Sequence, residues 1–575
     1  MRNRTMKLLS MVMAFTAIAP ICACSGTKTP PGAEEIDNDK TVLFVNNFDG
    51  GYGSQWLDAV GERFEELHKD YVGENGKVGV QVYVTNQKVN MENLSSKVLA
   101  NRDEIYFTEY AYYYTLMSDG ILGDITEAVT GDLSTYNAGD AQGATIESKL
   151  TAEQKAYYGV KEGNETKYYG IPHYAGYSGL MYNVDLFEER NYYFKELSEA
   201  EAANPNLSLA ARFVSSASDT KSKGPDGKAK TDDDGLPATY EEFFYLCDRI
   251  LQKGGIPVIW NGASRTDYVN YLLNALAVDF EGLEQAMLEY TFNGTAKNLG
   301  KIVNNQFVAD AEDTPITESY AYELGRKEGN YRALKFIENL LSNERYRHEL
   351  SFNNAFSHMD AQEEFLWAGN DGGETPEAAM IVEGVWWENE ANDVFEEMEN
   401  SSSEFAKENR RFAFMPLPKA TQEKVDPNSK PVLFDHIYSM CFMKKNIAES
   451  KKALAIDFIK FVNTQDSLVE YTQMTNTVKA LQYTMTNTQM AEMSHFGCSV
   501  MKAHQNSDIV YPYANNSLYA NNQNFFAVSS LYTSLVGGDS ERKYFINACG
   551  EESFTANQYF TGLSTYRKQK WNQLS

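Results

Sequence analysis

The sequence predicts an α/β protein built as two lobes, on three observations. Short apolar strand-like runs alternate with amphipathic helical stripes. The alternation stops and resumes in a second stretch of the chain, and the body is long. About 535 residues follow the N-terminal segments, more than a single hydrophobic core commonly supports.

The elements follow in order. Thr41 to Asn46 reads as a strand, and Trp56, Val60, Phe64 and Leu67 fall on one face of a helix. Val78, Val80, Val82 and Val84 alternate as a second strand, a helix surrounds Leu94 and Val98, and Glu104 to Thr108 is a third strand. This is the βαβα rhythm of a mostly parallel sheet. The rhythm resumes with a helical stripe of Phe243, Leu246, Cys247 and Ile250 and the strand Ile256 to Trp260. Helices near Tyr268 to Leu276 and Tyr331 to Leu341 come next, with strands at Ala379 to Val382, Arg411 to Met415 and Ile437 to Met443. Ala455, Phe458, Ile459 and Val462 mark a further amphipathic helix. No repeat of solenoid period appears.

At the N-terminus, Arg2, Arg4 and Lys7 precede an apolar run from Leu8 to Ile21 that ends at Cys22-Ala23-Cys24, the pattern of a secretion signal over residues 1–23. The run is shorter than the roughly 20 residues that a bilayer core requires. Ile21-Cys22-Ala23 before Cys24 resembles the lipobox of bacterial lipoproteins, which makes Cys24 the lipidated first residue of the mature chain. The stretch 24–40, rich in Pro, Gly, Thr and acid, then reads as a tether. Nothing later is apolar enough to span.

The chain carries 51 Lys and Arg against 80 Asp and Glu, a formal net charge of −29. Nucleic acid and anionic membrane surfaces are therefore excluded as expected partners. The acidity suits a neutral or cationic ligand and equally serves solubility alone. Of six cysteines, Cys22 leaves with the signal and Cys24 takes lipid. Cys247 and Cys441 lie in apolar periodic segments as core residues, and for Cys498 and Cys549 both a disulfide and free thiols stay open.

Several segments, in this order, resemble the extracellular solute-binding proteins (family 1, carbohydrate type) that serve bacterial ABC sugar importers. They are Phe44-Val45-Asn46-Asn47-Phe48, Ile105-Tyr106-Phe107-Thr108-Glu109-Tyr110, and Tyr169-Gly170-Ile171-Pro172 followed by Gly179-Leu180-Met181-Tyr182-Asn183-Val184-Asp185-Leu186-Phe187. Leu236-Pro237-Ala238-Thr239-Tyr240-Glu241-Glu242-Phe243, Ala379-Met380-Ile381-Val382-Glu383-Gly384-Val385-Trp386, Met415-Pro416-Leu417-Pro418 and the helix Ala453 to Thr464 complete the set. The resemblance implies a two-lobed periplasmic-binding-protein-like fold of type II with a cleft between lobes joined by hinge crossings. The expected lobes are 41–170 with 431–476, and 171–430 with 477–575. Crossings are expected near Tyr169 to Tyr174, Pro418 to Phe434 and Asn476 to Ala480, with Gly170 suited to a hinge. Tyr193 to Gly235 and Phe280 to Gly329 read as insertions. The implied function is capture of a carbohydrate outside the cytoplasmic membrane by a lipid-anchored monomer, and its delivery to membrane permease subunits. No cofactor is required.

Sugar capture needs an aromatic platform for the apolar face of a pyranose and planar polar groups for its hydroxyls. Trp386, at the Gly-x-Trp position, is the expected platform, with Trp387 beside it as the competitor. Glu109 and Tyr110 follow a strand directly and so sit at its carboxyl end, where α/β sheets place ligands. Asn47 and Asp49 hold the same position after the first strand and Trp260 with Asn261 after another, while Tyr177 follows the first crossing. For each of these the bland alternative is a helix cap or a packed aromatic. Asp226, Asp232, Asp233 and Asp234 crowd a Gly-rich loop that suits calcium or, equally, a solvated acidic turn, since it departs from an EF-hand. No HExxH, Walker or GxSxG motif is present, so an enzyme is not expected. The rivals are the same fold binding a peptide or polyamine and, behind that, a surface glycosidase.

Overall fold

The computed structural model describes residues 35–48, 50–86, 93–216, 218–370, 376–526, 535–536, 543–550 and 554–574. The expected signal peptide and Cys24 lie outside the described residues, as does most of the expected tether. Among the described residues no helix is long and apolar enough to cross a membrane.

Two mixed sheets organise the chain, in agreement with the predicted α/β class. The first runs in the order Val80–Asn86, Thr41–Asn47, Ile105–Thr108, Met440–Met443, Ile171–Pro172. Its first three strands are parallel, with Thr41 opposite Val80 and Val45 opposite Ile105. The helix Gln55–Leu67 covers this sheet with Trp56, Leu57, Val60 and Phe64. Leu67, expected on that face, is in the last turn and 53% exposed. Val78 is also exposed, because Gly79 turns the chain at φ +86° and the strand starts only at Val80.

The second sheet runs Phe412–Met415, Ser178–Asn183, Ala378–Gly384, Ile256–Ile259. Ala378–Gly384 is buried at every position. The helix Tyr240–Gln252 packs Phe243, Leu246, Cys247 and Ile250 inward, with Thr239 capping its start. The sheets are less parallel than the rhythm suggested: Met440–Met443 and Ser178–Asn183 enter antiparallel to their neighbours. Both strands follow a crossing, and a chain that arrives from the other lobe enters the sheet from its far end.

The crossings connect the sheets at 173–177, 435–439 and 476–480. The first starts later than expected because Ile171–Pro172 still pairs with Met440 and Cys441 in the first sheet. The second lies beyond 418–434 because Val432–Phe434 is held parallel to Asp508–Val510 and Val432 N–H donates to Asp279 of the second lobe. Tyr174–Ala175 pairs antiparallel with Val478–Lys479. Asp435 Oδ1 accepts from Gly176 N and Ile437 N at 3.1 and 3.2 Å, tying two crossings together. A Cβ on Gly176 would lie 2.0 Å from Ile437 Cγ1, so this close approach requires glycine. Gly170 serves packing, since a side chain there would meet Met440 Sδ at 2.7 Å.

The segment 511–526, expected with the second lobe, touches both. Tyr513 stacks on Tyr157 of the first lobe at 4.4 Å, while Asn516 Nδ2 donates to Tyr290 O. Cys247, Cys441, Cys498 and Cys549 are all free thiols.

Candidate functional site

The loops that follow the carboxyl ends of Thr41–Asn47 and Ile105–Thr108 in the first sheet meet those that follow Ala378–Gly384 in the second. From the first lobe, the loop after Thr41–Asn47 is held by Asn47, whose Nδ2 donates to Gly53 O at 3.1 Å. This loop carries Gly50 and Gly51 with φ +43° and +91°, followed by the buried Tyr52. Tyr52 meets Tyr174 edge-on at 4.6 Å, and the Tyr174 hydroxyl donates to the Glu109 carboxylate. Tyr110 follows in a left-handed conformation at φ +51°. Its N–H donates to Ile437 O on the second crossing, which turns the residue out of the sheet and leaves it 37% exposed.

From the second lobe, the strand Ala378–Gly384 leads to Trp386. A Cβ on Gly384 would lie 2.2 Å from Trp386 Cζ2, so the indole folds back over the strand's end only because that residue is glycine. Trp386 is 9% exposed and meets His436 edge-on at 6.1 Å. His436 in turn stacks on Tyr271 at 4.1 Å and 20°, and its Nε2 pairs with Ser178 Oγ at 2.8 Å. Burial pushes the His436 imidazole down to about 3, so the ring is neutral and acts as a flat polar surface. In the same lobe, Gln362 Nε2 donates to Glu390 Oε2 at 3.0 Å and to Glu383 Oε1 at 3.3 Å. Burial first, then the neighbouring Glu390 carboxylate, raises Glu383 well above the carboxylate range.

The two sides touch. A Cβ on Gly51 would lie 2.4 Å from Glu390 Cγ, and Tyr110 of the first lobe is close enough to Tyr271 of the second for the two phenols to influence each other's titration. The lobes are therefore closed upon each other over an aromatic patch of Tyr52, Tyr110, Tyr268, Tyr271 and Trp386, with hydrogen-bonding carboxylates and an amide at its edges.

Of the residues singled out in sequence, Glu109, Tyr110 and Trp386 come together in this cleft, with Asn47 supporting its loop from a buried position. Asp49 is outside the described residues. Trp387 is corrected to a core residue: it is fully buried among Phe365, Phe395, Phe412 and Phe496. Trp260 is likewise fully buried, against Phe352, because the segment around Ser351 folds over its strand end and accepts from Trp260 N. Asn261 accepts from Ser264 N at 2.9 Å as a local cap. Tyr177 is buried inside the first crossing, paired with His504 Nδ1 at 2.7 Å. Sequence reasoning missed Tyr52, Tyr268, Tyr271, Gln362, Glu390 and His436. The spacing of Tyr268 and Tyr271 on one helix face was the one signal available, and such a pair reads equally as core.

The acidic loop engages its own carboxylates. Asp233 accepts from Thr231 Oγ1 at 2.7 Å and Asp226 N at 3.0 Å, Asp226 from Lys228 N, Asp234 from Lys230 N and Asp232 from Lys502 Nζ. Among the described residues no three ligating side chains are arranged around a metal position. A recess of about 980 Å³ opens beside the third crossing, lined by residues including Glu153, Lys430, Tyr483 and His504; it contains none of the cleft residues.

No family model matches the sequence, and no curated protein matches it. Solved structures do match over nearly the whole chain. One described as a chitin oligosaccharide binding protein is 14% identical with a TM-score of 0.51, over 93% of this chain and 99% of that one. A second, from work on xylan utilization by the thermophilic bacterium Caldanaerobius polysaccharolyticus, is 12% identical with a TM-score of 0.50, over 91% and 99%. What these matches define is the fold class, two α/β lobes around a cleft. The likeness is one of architecture, with two α/β lobes hinged about crossing strands.

Proposed function

We propose that this protein captures an oligosaccharide between its lobes and delivers it to the permease of an ABC importer, without chemical conversion. The observation that carries the reading is the convergence, from both lobes, of Tyr110, Tyr268, Tyr271 and Trp386 with Glu109, Gln362 and Glu390. Rings offer faces to the C–H surface of a pyranose, and the planar carboxylates and amide accept and donate to vicinal hydroxyls. Closure would remove the sugar from water and strengthen each of those hydrogen bonds. The matched structure described as a chitin oligosaccharide binding protein supports the same ligand class. Glu109 and Glu390 stand on facing lobes, but a binding protein needs them only as acceptors, and no catalytic motif accompanies them.

The test is a calorimetric screen of the full-length protein against neutral oligosaccharides, with product analysis of each mixture. Micromolar binding with no released product is expected. Product formation would restore a glycosidase, and binding of only a peptide or a polyamine would overturn the carbohydrate reading. We further propose that the body is held outside the cytoplasmic membrane through lipidated Cys24. Cys24→Ala should move the protein from the membrane fraction to the soluble one, and unchanged membrane retention would defeat the anchor.

A further inference from the structure

We propose that Asp267 is a further ligand-holding residue of the cleft, its carboxylate accepting from two adjacent hydroxyls of the captured saccharide; this rests on the carbohydrate reading above and deepens it. Asp267 stands in the first turn of the helix Arg265–Thr291, one turn before Tyr271, so the two side chains share a face. Tyr271 stacks on His436, which meets Trp386 edge-on, and Tyr268 lies beside Tyr271 at 6.1 Å. Burial first, then Asp267, pushes the Tyr271 phenol up to about 12. Tyr110 on the opposite lobe is also raised, by burial first and with Asp267 among the groups that contribute. The Asp267 carboxylate therefore stands within electrostatic reach of a ring from each lobe.

Among the described residues none pairs with this carboxylate, by hydrogen bond or by ion pair. An acid in the first turn of a helix commonly serves the free N–H groups there. Here Asn261 Oδ1 accepts from Ser264 N at 2.9 Å instead. Arg265, two residues away, is directed to Asn547, Gly262 and Asn354. Glu109 and Glu390, by contrast, are engaged by Tyr174 and Gln362. Asp267 is nonetheless half-buried, and burial alone raises its carboxyl above the usual carboxylate range. A polar group taken part-way out of water without a partner costs stability, and such breaches of the rules of folding concentrate at functional sites, where a ligand supplies the missing partner.

The partner that fits is a pair of donors. A carboxylate is an acceptor-only group with two coplanar oxygens. Two neighbouring hydroxyls of a pyranose present two donors at the edge of the ring, while Tyr271 and Trp386 serve its apolar face. Hydrogen bonds to an ionised acceptor are about twice as strong as neutral ones, so this pair fixes the orientation in which the sugar lies on its platform.

The experiment is calorimetric titration of the full-length protein, wild type and Asp267→Asn, with tetrasaccharides of glucose, xylose, mannose and N-acetylglucosamine, beside a thermal melt of each protein without sugar. Asparagine replaces one acceptor oxygen by a donor, so each tetramer that the wild type binds should bind the variant about tenfold more weakly or worse. The variant loses no partner within the protein, so its Tm should stay within about 2 °C of the wild type or rise. Asp267→Ser, which suits the start of a helix, should show the same split between affinity and Tm. A loss of affinity below about threefold in both variants would overturn this inference and leave the carbohydrate reading standing, and so would a larger fall in Tm, which would make Asp267 a structural residue. Failure of the wild type to bind any of the four tetramers would overturn both.

Discussion

The contrast between adjacent tryptophans offers a stability test that needs no ligand. Trp387 is fully buried, edge-on to Phe412 at 5.3 Å, Phe496 at 5.5 Å and Phe365 at 5.7 Å, with Phe395 at 6.3 Å. Replacing it by alanine removes a large ring from a site whose neighbours come from four separate elements and cannot all collapse inward. Such truncations cost about 3–5 kcal/mol. For a cooperative unit of one lobe's size, each kcal/mol moves Tm by about 2–4 °C, so Trp387→Ala should lower the transition of the second lobe by ~6–20 °C in scanning calorimetry. The indole N–H has no hydrogen-bond partner, so Trp387→Phe loses only volume and should fall by a third of that or less. Trp386 borders the cleft and owes part of its burial to closure, so Trp386→Ala should cost less than Trp387→Ala. A Trp387→Ala shift below ~2 °C, or a larger shift for Trp386→Ala, would refute the assignment of core and cleft rings.

Three further outcomes follow from the structure. Gly51→Ala places a methyl 2.4 Å from Glu390 Cγ on a backbone at φ +91° and should weaken any cleft ligand about tenfold or more, a conformational strain of 1–2 kcal/mol being compounded by obstructed closure; unchanged affinity in a titration would remove this contact from the closing surface. Lys479 Nζ lies 2.8 Å from His173 Nδ1, and burial pushes it down to about 7, whereas the unfolded residue titrates near ~10.4. The unfolded chain therefore binds the extra proton between these values, and stability from this site rises with pH across that window. Lys479→Met should flatten the rise in urea midpoint between neutral and alkaline pH, and an identical rise in both proteins would count against the buried, deprotonated lysine. Calcium at Asp226, Asp232, Asp233 and Asp234 should raise Tm at ~5 mM in a way that a chelator reverses, since a ligand that favours the native state raises it; a shift within about 1 °C would count against the site.

Much of the fold was legible because local pattern and tertiary burial agree where a strand or helix packs on one face. Phe243, Leu246, Cys247 and Ile250 are buried as their spacing requires, and Ala378–Gly384 reads as an apolar run because both faces of its sheet are covered. The pattern misled at element ends, where Leu67 and Val78 keep the period but have left the core. The third crossing falls at 476–480 as expected, while the first two lie further along the chain because hydrogen-bond partners, not composition, decide where a strand leaves its sheet. In the site, Glu109 and Tyr110 were singled out from their position after a strand and Trp386 from the Gly-x-Trp resemblance, and all three border this cleft. The same rule failed for Trp260 and Asn261, since it cannot see the Ser351 segment folded over an edge strand. Glu390, Gln362 and His436 carry no local pattern that marks them, and only the tertiary fold brings them to the site.

The central claim, that ligand is held between the lobes on Trp386, is tested most directly by titrating the best oligosaccharide from the screen into wild-type protein and Trp386→Ala side by side. Micromolar binding by the wild type and a loss of about tenfold or more in the variant, with its melting transition retained, is the predicted result, since stacking on an aromatic platform is a principal source of affinity in such a cleft. Equal affinity in the two proteins would contradict it and place the ligand away from this cleft.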